Sequence, residues 1–283
     1  MNQFTSTDIE NYYDQTEIHY RMFWKLDEVA GLHYGIWDAS THSTSDAILN
    51  TNRYLLNLGN VSKEHKVLDA GCGIGGSSIY LAKNIGCKVH GITLSKKQSE
   101  KAALLAKKNN VSHLVEFSYA NYLQTGFDVN NFDIVWAIES FGSAPDKSLF
   151  FKEMNRILKP GGKILFADTF KPKTFDISQN KTMQTMLNGW AISDILSIEE
   201  LKLLADNFNF EVTQIKDVTS KIRKSVNKIY YASLLGFFGT KIYNFFKEAS
   251  YFSRIHYTTG FAQRKAYKNG DWGYYLVVCE KRN

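Results

Sequence analysis

The densest chemical pattern in the chain is Leu68-Asp69-Ala70-Gly71-Cys72-Gly73-Ile74-Gly75-Gly76, where an apolar run opens onto clustered glycines. Gly71, Gly73 and Gly76 satisfy the spacing G-x-G-x-x-G. Glycines at that spacing let the backbone come close to a nucleotide-like ligand, and many nucleotide-binding enzymes share the pattern. Two details set this loop apart from a dinucleotide fingerprint. Asp69 stands directly before the glycines, where such a fingerprint continues its apolar strand. The next apolar run ends Gly91-Ile92-Thr93-Leu94-Ser95, with no Asp or Glu at the ribose-reading position about 20 residues on.

A loop of this kind works only if a strand and a helix hold it. Residues 66–70 (KVLDA) read as the strand and 77–84 as the helix; 88–94 (KVHGITL) and 95–109 repeat the pair. Residues 114–119 read as a third strand, 132–138 (FDIVWAI) as a buried fourth, and 147–158 as a helix. Lys159-Pro160-Gly161-Gly162 is a turn into the strand 163–168 (KILFAD). Ser197 and Glu200 form a capping box for a helix through 207, and 210–215 returns as a strand. The last run, 274–280 (YYLVVCE), is expected to close the sheet. This alternation predicts an α/β protein with a mainly parallel sheet and helices on both faces. The expected divisions are an N-terminal helical lid (1–60), a core (61–220), a helical cap rich in aromatic and basic residues (221–268), and a final core strand (269–283).

The 283 residues are 44% hydrophobic and 22% charged, which excludes disordered and fibrous classes and leaves room for a sizeable core. Cys72, Cys87 and Cys279 form no CxxC pair, so neither a disulfide framework nor a structural zinc is expected, and no metal site is predicted. The opening residues are polar and acidic, without the basic-then-apolar order of a signal peptide; the expected location is cytoplasmic, with a peripheral membrane association open. The net charge of +6 is uneven: residues 220–283 hold twelve Lys/Arg against three Asp/Glu, and the remainder is slightly acidic. That segment could meet a phosphate, an anionic membrane or nucleic acid, or form a solvated basic face. Its apolar run 229–240 (IYYASLLGFFGT) is too short to span a bilayer and reads as a cap over an apolar pocket or a membrane-surface helix.

VLDAGCGIGG, HGITLSKKQ, FDIVWAIES with SAPDK, and RILKPGGKILFAD follow one another in an order and spacing that resemble the motifs of class I S-adenosylmethionine (SAM)-dependent methyltransferases. The resemblance runs from about residue 11 to 172. GITLS with Gln98, NYYD at 11–14 and IES..SAPD are similar to one branch, the sterol, tocopherol and prenyl-diphosphate C-methyltransferases. It implies a Rossmann-like, doubly wound sheet with a helical, aromatic-rich cap, and SAM as cofactor. Gly71, Gly73 and Gly75 would lie beside the methionine part of SAM, and Asp69 would orient the loop and the cofactor's ammonium. Thr93, Leu94 and Gln98 would take the ribose and adenine side. Asn121, with Tyr122 beside it, stands where these families often place an Asp facing adenine. Tyr13 of NYYD, with Tyr12, Trp24, His33 and Tyr34, would close over cofactor and acceptor.

Glu139 matches the Glu of the sterol enzymes and is assigned to the cofactor site and to catalysis, steadying a carbocation or receiving its proton. Ser143 stands where related quinone-ring enzymes carry a His, which leaves His33 and His256 as the histidine bases, with Tyr257 beside the latter. Aromatics of residues 220–283 would add cation–π contacts of about 0.5–2 kcal/mol each, or simply pack. The function implied is methylation of a hydrophobic small molecule, with C-methylation of an isoprenoid-type alkene (sterol, quinone-like or prenyl diphosphate) favoured. A diphosphate or a membrane surface would engage the basic segment. No nucleic-acid partner is expected, because the (D/N)PP(Y/F) signature is absent. The alternatives are O- or N-methylation of a polar or aromatic metabolite and, from another class, a non-methylating SAM-binding protein or cyclase.

Overall fold

The computed structural model describes residues 3–12, 30–246 and 251–283, excluding the side chains of 238–246 and 251–256. The apolar runs form β1 (Lys66–Ala70), β2 (Lys88–Thr93), β3 (Val115–Tyr119), β4 (Phe132–Ile138), β5 (Leu158–Phe170), β6 (Phe210–Asp217) and β7 (Gly273–Lys281). They make one seven-stranded sheet in the order β3-β2-β1-β4-β5-β7-β6. The first five strands pair in parallel, while β7 runs antiparallel to both β5 and β6.

The position of β7 corrects the expectation that 274–280 closes the sheet. Tyr274, Leu276, Val277, Val278 and Cys279 are all buried, the signature of a strand covered on both faces. β6 (FEVTQIKD) is exposed along most of its length and takes the edge, where polar residues face water without cost.

α1 (Thr44–Gly59) precedes β1, and between the strands lie α2 (Gly76–Ile85), α3 (Lys96–Lys108), α4 (Lys147–Ile157), α5 (Lys181–Gly189) and α6 (Ile198–Asn207), followed by α7 (Arg223–Phe246) and α8 (Tyr251–Asn269). Capping boxes start α1 (Ser43 with Asp46) and α6 (Ser197 with Glu200). On one face of the sheet, Phe150, Phe151 and Met154 of α4 and Leu201 and Ala205 of α6 pack on Val135, Ala137 and Phe166. On the other, Leu55 of α1, Leu81 of α2, Met183 of α5 and Ala266 of α8 share a core with Trp136, Leu165 and Tyr274. The segment 221–268 thus supplies two long helices. A Cβ on Gly260 would collide with Ser233 of α7, and one on Gly189 with Thr259 of α8, so glycine sets how closely these helices approach. Among the described residues no helix is long and apolar enough to cross a membrane. Cys72, Cys87 and Cys279 are free and buried.

Candidate functional site

The sheet reverses its winding between β1 and β4, and connections leaving in opposite directions open a crevice at the strands' carboxyl ends. A cleft lies there, open to solvent, with about 900 Å³ of empty space counting its mouth. Its wall takes Asp69, Gly71, Cys72, Gly73 and Ile74 from the end of β1, Thr93, Leu94, Ser95 and Gln98 from the end of β2, and Ile138, Glu139 and Ser140 from the end of β4. Ile9, Leu32 and His33 complete it from the N-terminal segment.

Gly71, Gly73 and Gly75 have φ of +92°, +54° and +86°, a region costly for side-chain-bearing residues. Their surroundings differ. A Cβ on Gly71 would lie 2.5 Å from Ser140 Cβ, and one on Gly75 2.7 Å from Phe117 Cζ, whereas one on Gly73 would meet nothing within 4 Å. Gly75 does not line the cleft; it caps the start of α2. Asp69 is buried and accepts the Ser78 hydroxyl hydrogen bond at 2.6 Å. Burial disfavours its charge and raises its pKa to about 6. Burial and the neighbouring Asp69 also push the Cys72 thiol well above its usual range.

At the end of β2 the Thr93 hydroxyl donates to Gln98 Oε1 at 2.8 Å, and Ser95 caps α3 through Gln98 N–H. Tyr122 lines the cleft, its hydroxyl donating to the Ser140 carbonyl at 3.0 Å. Asn121 is not brought to the cleft. Its Oδ1 accepts Leu123 N–H at 2.9 Å and its Nδ2 donates to Ser6 Oγ at 3.2 Å, which tie the amide to its own tight turn and to the N-terminal segment.

Glu139 carries the strongest departures from ordinary chemistry. Its φ is +49°, a left-handed backbone on a non-glycine residue, held by its N–H donating to the Ala167 carbonyl at 2.8 Å. Its Oε1 accepts Tyr34 N–H at 2.6 Å and the Tyr274 hydroxyl at 2.8 Å. Burial outweighs both hydrogen bonds, and the pKa rises to about 8, so the carboxyl holds a proton at neutral pH. Behind it the Tyr34 ring packs against Trp272, Tyr274 and Trp190 at 5.6, 5.5 and 6.2 Å. The following loop is strapped down. Asp168 accepts Gly142 N–H at 2.8 Å, and the buried Lys147 ammonium donates to the carbonyls of Gly142, Ala144 and Asp194.

His33 is also buried, with Nδ1 at 3.1 Å from the Tyr34 carbonyl. A carbonyl only accepts, so Nδ1 carries the hydrogen; desolvation lowers the ring's pKa to about 4. Tyr257 is not part of the cleft: it packs edge-on against Phe237 and Phe261, joining α7 to α8. His256 falls within α8, its side chain outside the described residues, and Tyr13 and Trp24 lie outside them altogether. Tyr12 is buried with Phe4, Ala191 and Trp190. Among the described residues, no cation of the basic segment lines this cleft. Arg264 stacks over Tyr230, Lys224 over Trp37, and Lys228 donates to Thr44. Sequence reasoning missed Tyr274, Ser95 and Ser140; only Ser95 had a local signal, as the polar residue opening a helix.

Residues 68–166 match the model of a methyltransferase domain. Methyltransferase GfsG of Streptomyces halstedii is 29% identical over 221 residues, 77% of this chain and 78% of its own. The chloroplastic tocopherol O-methyltransferase of Arabidopsis thaliana is 46% identical over 103 residues, 36% of this chain and 30% of its own. Among solved structures, the 4+2 cyclase SpnF superposes with a TM-score of 0.82 at 22% identity, covering 100% of this chain and 98% of its own. A geranyl diphosphate methyltransferase in complex with GPP and sinefungin superposes with 0.79 at 21% identity, covering 98% and 99%. At these identities the structural likenesses speak for the fold.

Proposed function

From the premise that this chain is a class I SAM-dependent methyltransferase with SAM as its cofactor, we propose that its acceptor is a hydrophobic, isoprenoid-type molecule methylated at carbon. The residues present fit the cofactor. The space above Gly73 is what a close ligand needs, and a Cβ there would fill it. Asp69 and the glycine backbone would hold the amino-acid end, and Thr93, Leu94 and Gln98 the nucleoside end. When bound, SAM supplies an electrophilic methyl group on a positively charged sulfur.

The observation that carries the proposal is Glu139, a carboxyl in an apolar setting at the end of β4, with one oxygen pinned by two donors. Methylation of an alkene carbon requires a positive charge to be steadied and a proton removed. A cation in the cleft favours the ionised form of a neighbouring carboxyl, so Glu139 has the range to give up and take back a proton. The likeness to tocopherol and geranyl diphosphate methyltransferases supports an isoprenoid acceptor.

Glu139→Gln keeps the shape and the accepting oxygen but cannot take the proton. Its methyl transfer is expected to fall about 10²–10⁴-fold while SAM affinity changes little. Full turnover in this variant would remove Glu139 from the chemistry. The acceptor class is read by incubating lipid and aqueous extracts with methyl-deuterated SAM. An acid-stable label in an organic-phase product, placed on carbon by NMR, is the expected result; label only in polar products would overturn it.

A further inference from the structure

His33 Nε2 is a buried hydrogen-bond acceptor without a partner among the described residues. The residue is 7% exposed and lines the cleft, and Nδ1–H donates to the Tyr34 carbonyl, so the Nε2 lone pair is the ring's one unused polar group. A buried acceptor left without a donor costs stability, and a ligand that brings one recovers it. A Cβ on Gly31 would come within 3.1 Å of Nε2 and 2.7 Å of Ile48 Cγ2, so the buried ring fits beside a residue without a side chain at 31. One peptide segment also ties His33 to the reacting end of the site, since the N–H of Tyr34 holds Glu139 and its carbonyl holds His33.

We propose that His33 Nε2 is a recognition point for a hydroxyl group on the acceptor, an alcohol or phenol whose O–H donates to it beside the Glu139 carboxyl. This deepens the isoprenoid reading and rests on it for the cleft being the acceptor's site. The ring stays neutral well below physiological pH, so it accepts the hydroxyl hydrogen as a lone pair and carries no positive charge to repel a sulfonium. An acceptor lacking the hydroxyl leaves Nε2 unpartnered and binds more weakly.

The test measures binding to the protein loaded with S-adenosylhomocysteine, by calorimetry, so that no transfer is needed. Two pairs of probes are compared: 2-geranylphenol with its twin carrying methyl in place of hydroxyl, and phenol with toluene. In the wild type the hydroxyl compounds are expected to bind about tenfold tighter than their twins. In His33→Phe that preference should fall to within about twofold, and His33→Gln, which keeps an accepting oxygen, should restore part of it. S-adenosylhomocysteine affinity should be unchanged in both, which also reports correct folding. A preference absent in the wild type, or one that survives in His33→Phe, overturns the proposal. So does a parallel loss of S-adenosylhomocysteine affinity, which would assign Nε2 to the cofactor, and so does failure of both hydroxyl probes to bind at about 1 mM. A His33-dependent preference to which the geranyl chain adds no affinity would uphold hydroxyl recognition while removing the isoprenoid reading.

Discussion

Gly71, Gly73 and Gly75 share a left-handed backbone, yet each is needed for a different neighbour. Gly71 gives way to Ser140 and Gly75 to Phe117, both protein atoms, while Gly73 gives way to empty cleft. Gly73→Asn is therefore expected to weaken SAM binding by at least about tenfold with little change in melting temperature, because Asn tolerates the left-handed backbone and its side chain occupies ligand space. Gly71→Ala should cost stability through the clash at Ser140, by an amount typical of overpacking, about 1–3 kcal/mol, and so lower the melting temperature. Paired thermal melts and cofactor titrations check both; normal SAM affinity in Gly73→Asn would dismiss the cofactor assignment. Gly71 and Gly73, with Asp69, Thr93 and Gln98, were legible as cleft lining because a local motif places them on adjacent strand ends, whereas Gly75 went to the start of α2. The partners of Glu139 were not. Tyr34 and Tyr274 lie 105 and 135 residues from it in sequence, and nothing local to either couples them to that carboxyl. For Asn121, side-chain type alone does not reveal that its own turn engages its Oδ1.

Strand and helix identities followed from periodicity, and the Ser197–Glu200 capping box stands where it was read. The order of strands was less accessible. A run such as YYLVVCE announces burial on both faces, but only its pairing with β5 and β6 shows that it lies inside the sheet. The loop between β4 and α4 is where element geometry meets chemistry. Lys147, the first residue of α4, reaches back to the carbonyls of Gly142 and Ala144 and across to that of Asp194, and so ties down the loop that follows Glu139. Lys147→Met leaves those carbonyls without their donor. The expected outcome is a melting temperature lower by several degrees, since about 2–4 °C accompany each kcal/mol in a domain of this size. Turnover should fall more than SAM affinity, because the loop borders Glu139 rather than the glycines. Unchanged turnover with a lowered melting temperature would confine Lys147 to stability.

Across the whole molecule, the cleft and the loop beside it concentrate groups whose charging is suppressed by burial. Glu139 is raised to about 8 and Asp69 and Asp168 to about 6, while His33 is lowered to about 4. A carboxyl with a raised folded pKa binds its proton more tightly in the native state. Its stabilisation is complete below the unfolded pKa and is lost as pH rises through the folded one. His33 acts in the opposite direction, losing stability as pH falls from 6.5 towards 4, and Lys147, whose desolvated ammonium is lowered to about 8, opposes the carboxyls as pH approaches 8. The cofactor-free protein should therefore melt progressively lower between pH 6.5 and about 7.5, and Glu139→Gln should flatten that slope. Scanning fluorimetry across this range decides it; an unchanged slope in the variant would mean that Glu139 is not the group that titrates. The placement of β7 has a further consequence, for the order in which the protein assembles as it is translated. β5 is complete once residue 170 has left the ribosome, but the strand that pairs with it begins at 273. At about 5–20 residues per second, β5 waits roughly 5–20 s with Ile164, Leu165 and Phe166 along an open edge, and β6 emerges meanwhile with no neighbour to join. That interval is when the nascent chain is most exposed to pairing with another chain, and it ends when the last of the seven strands slides between two already made.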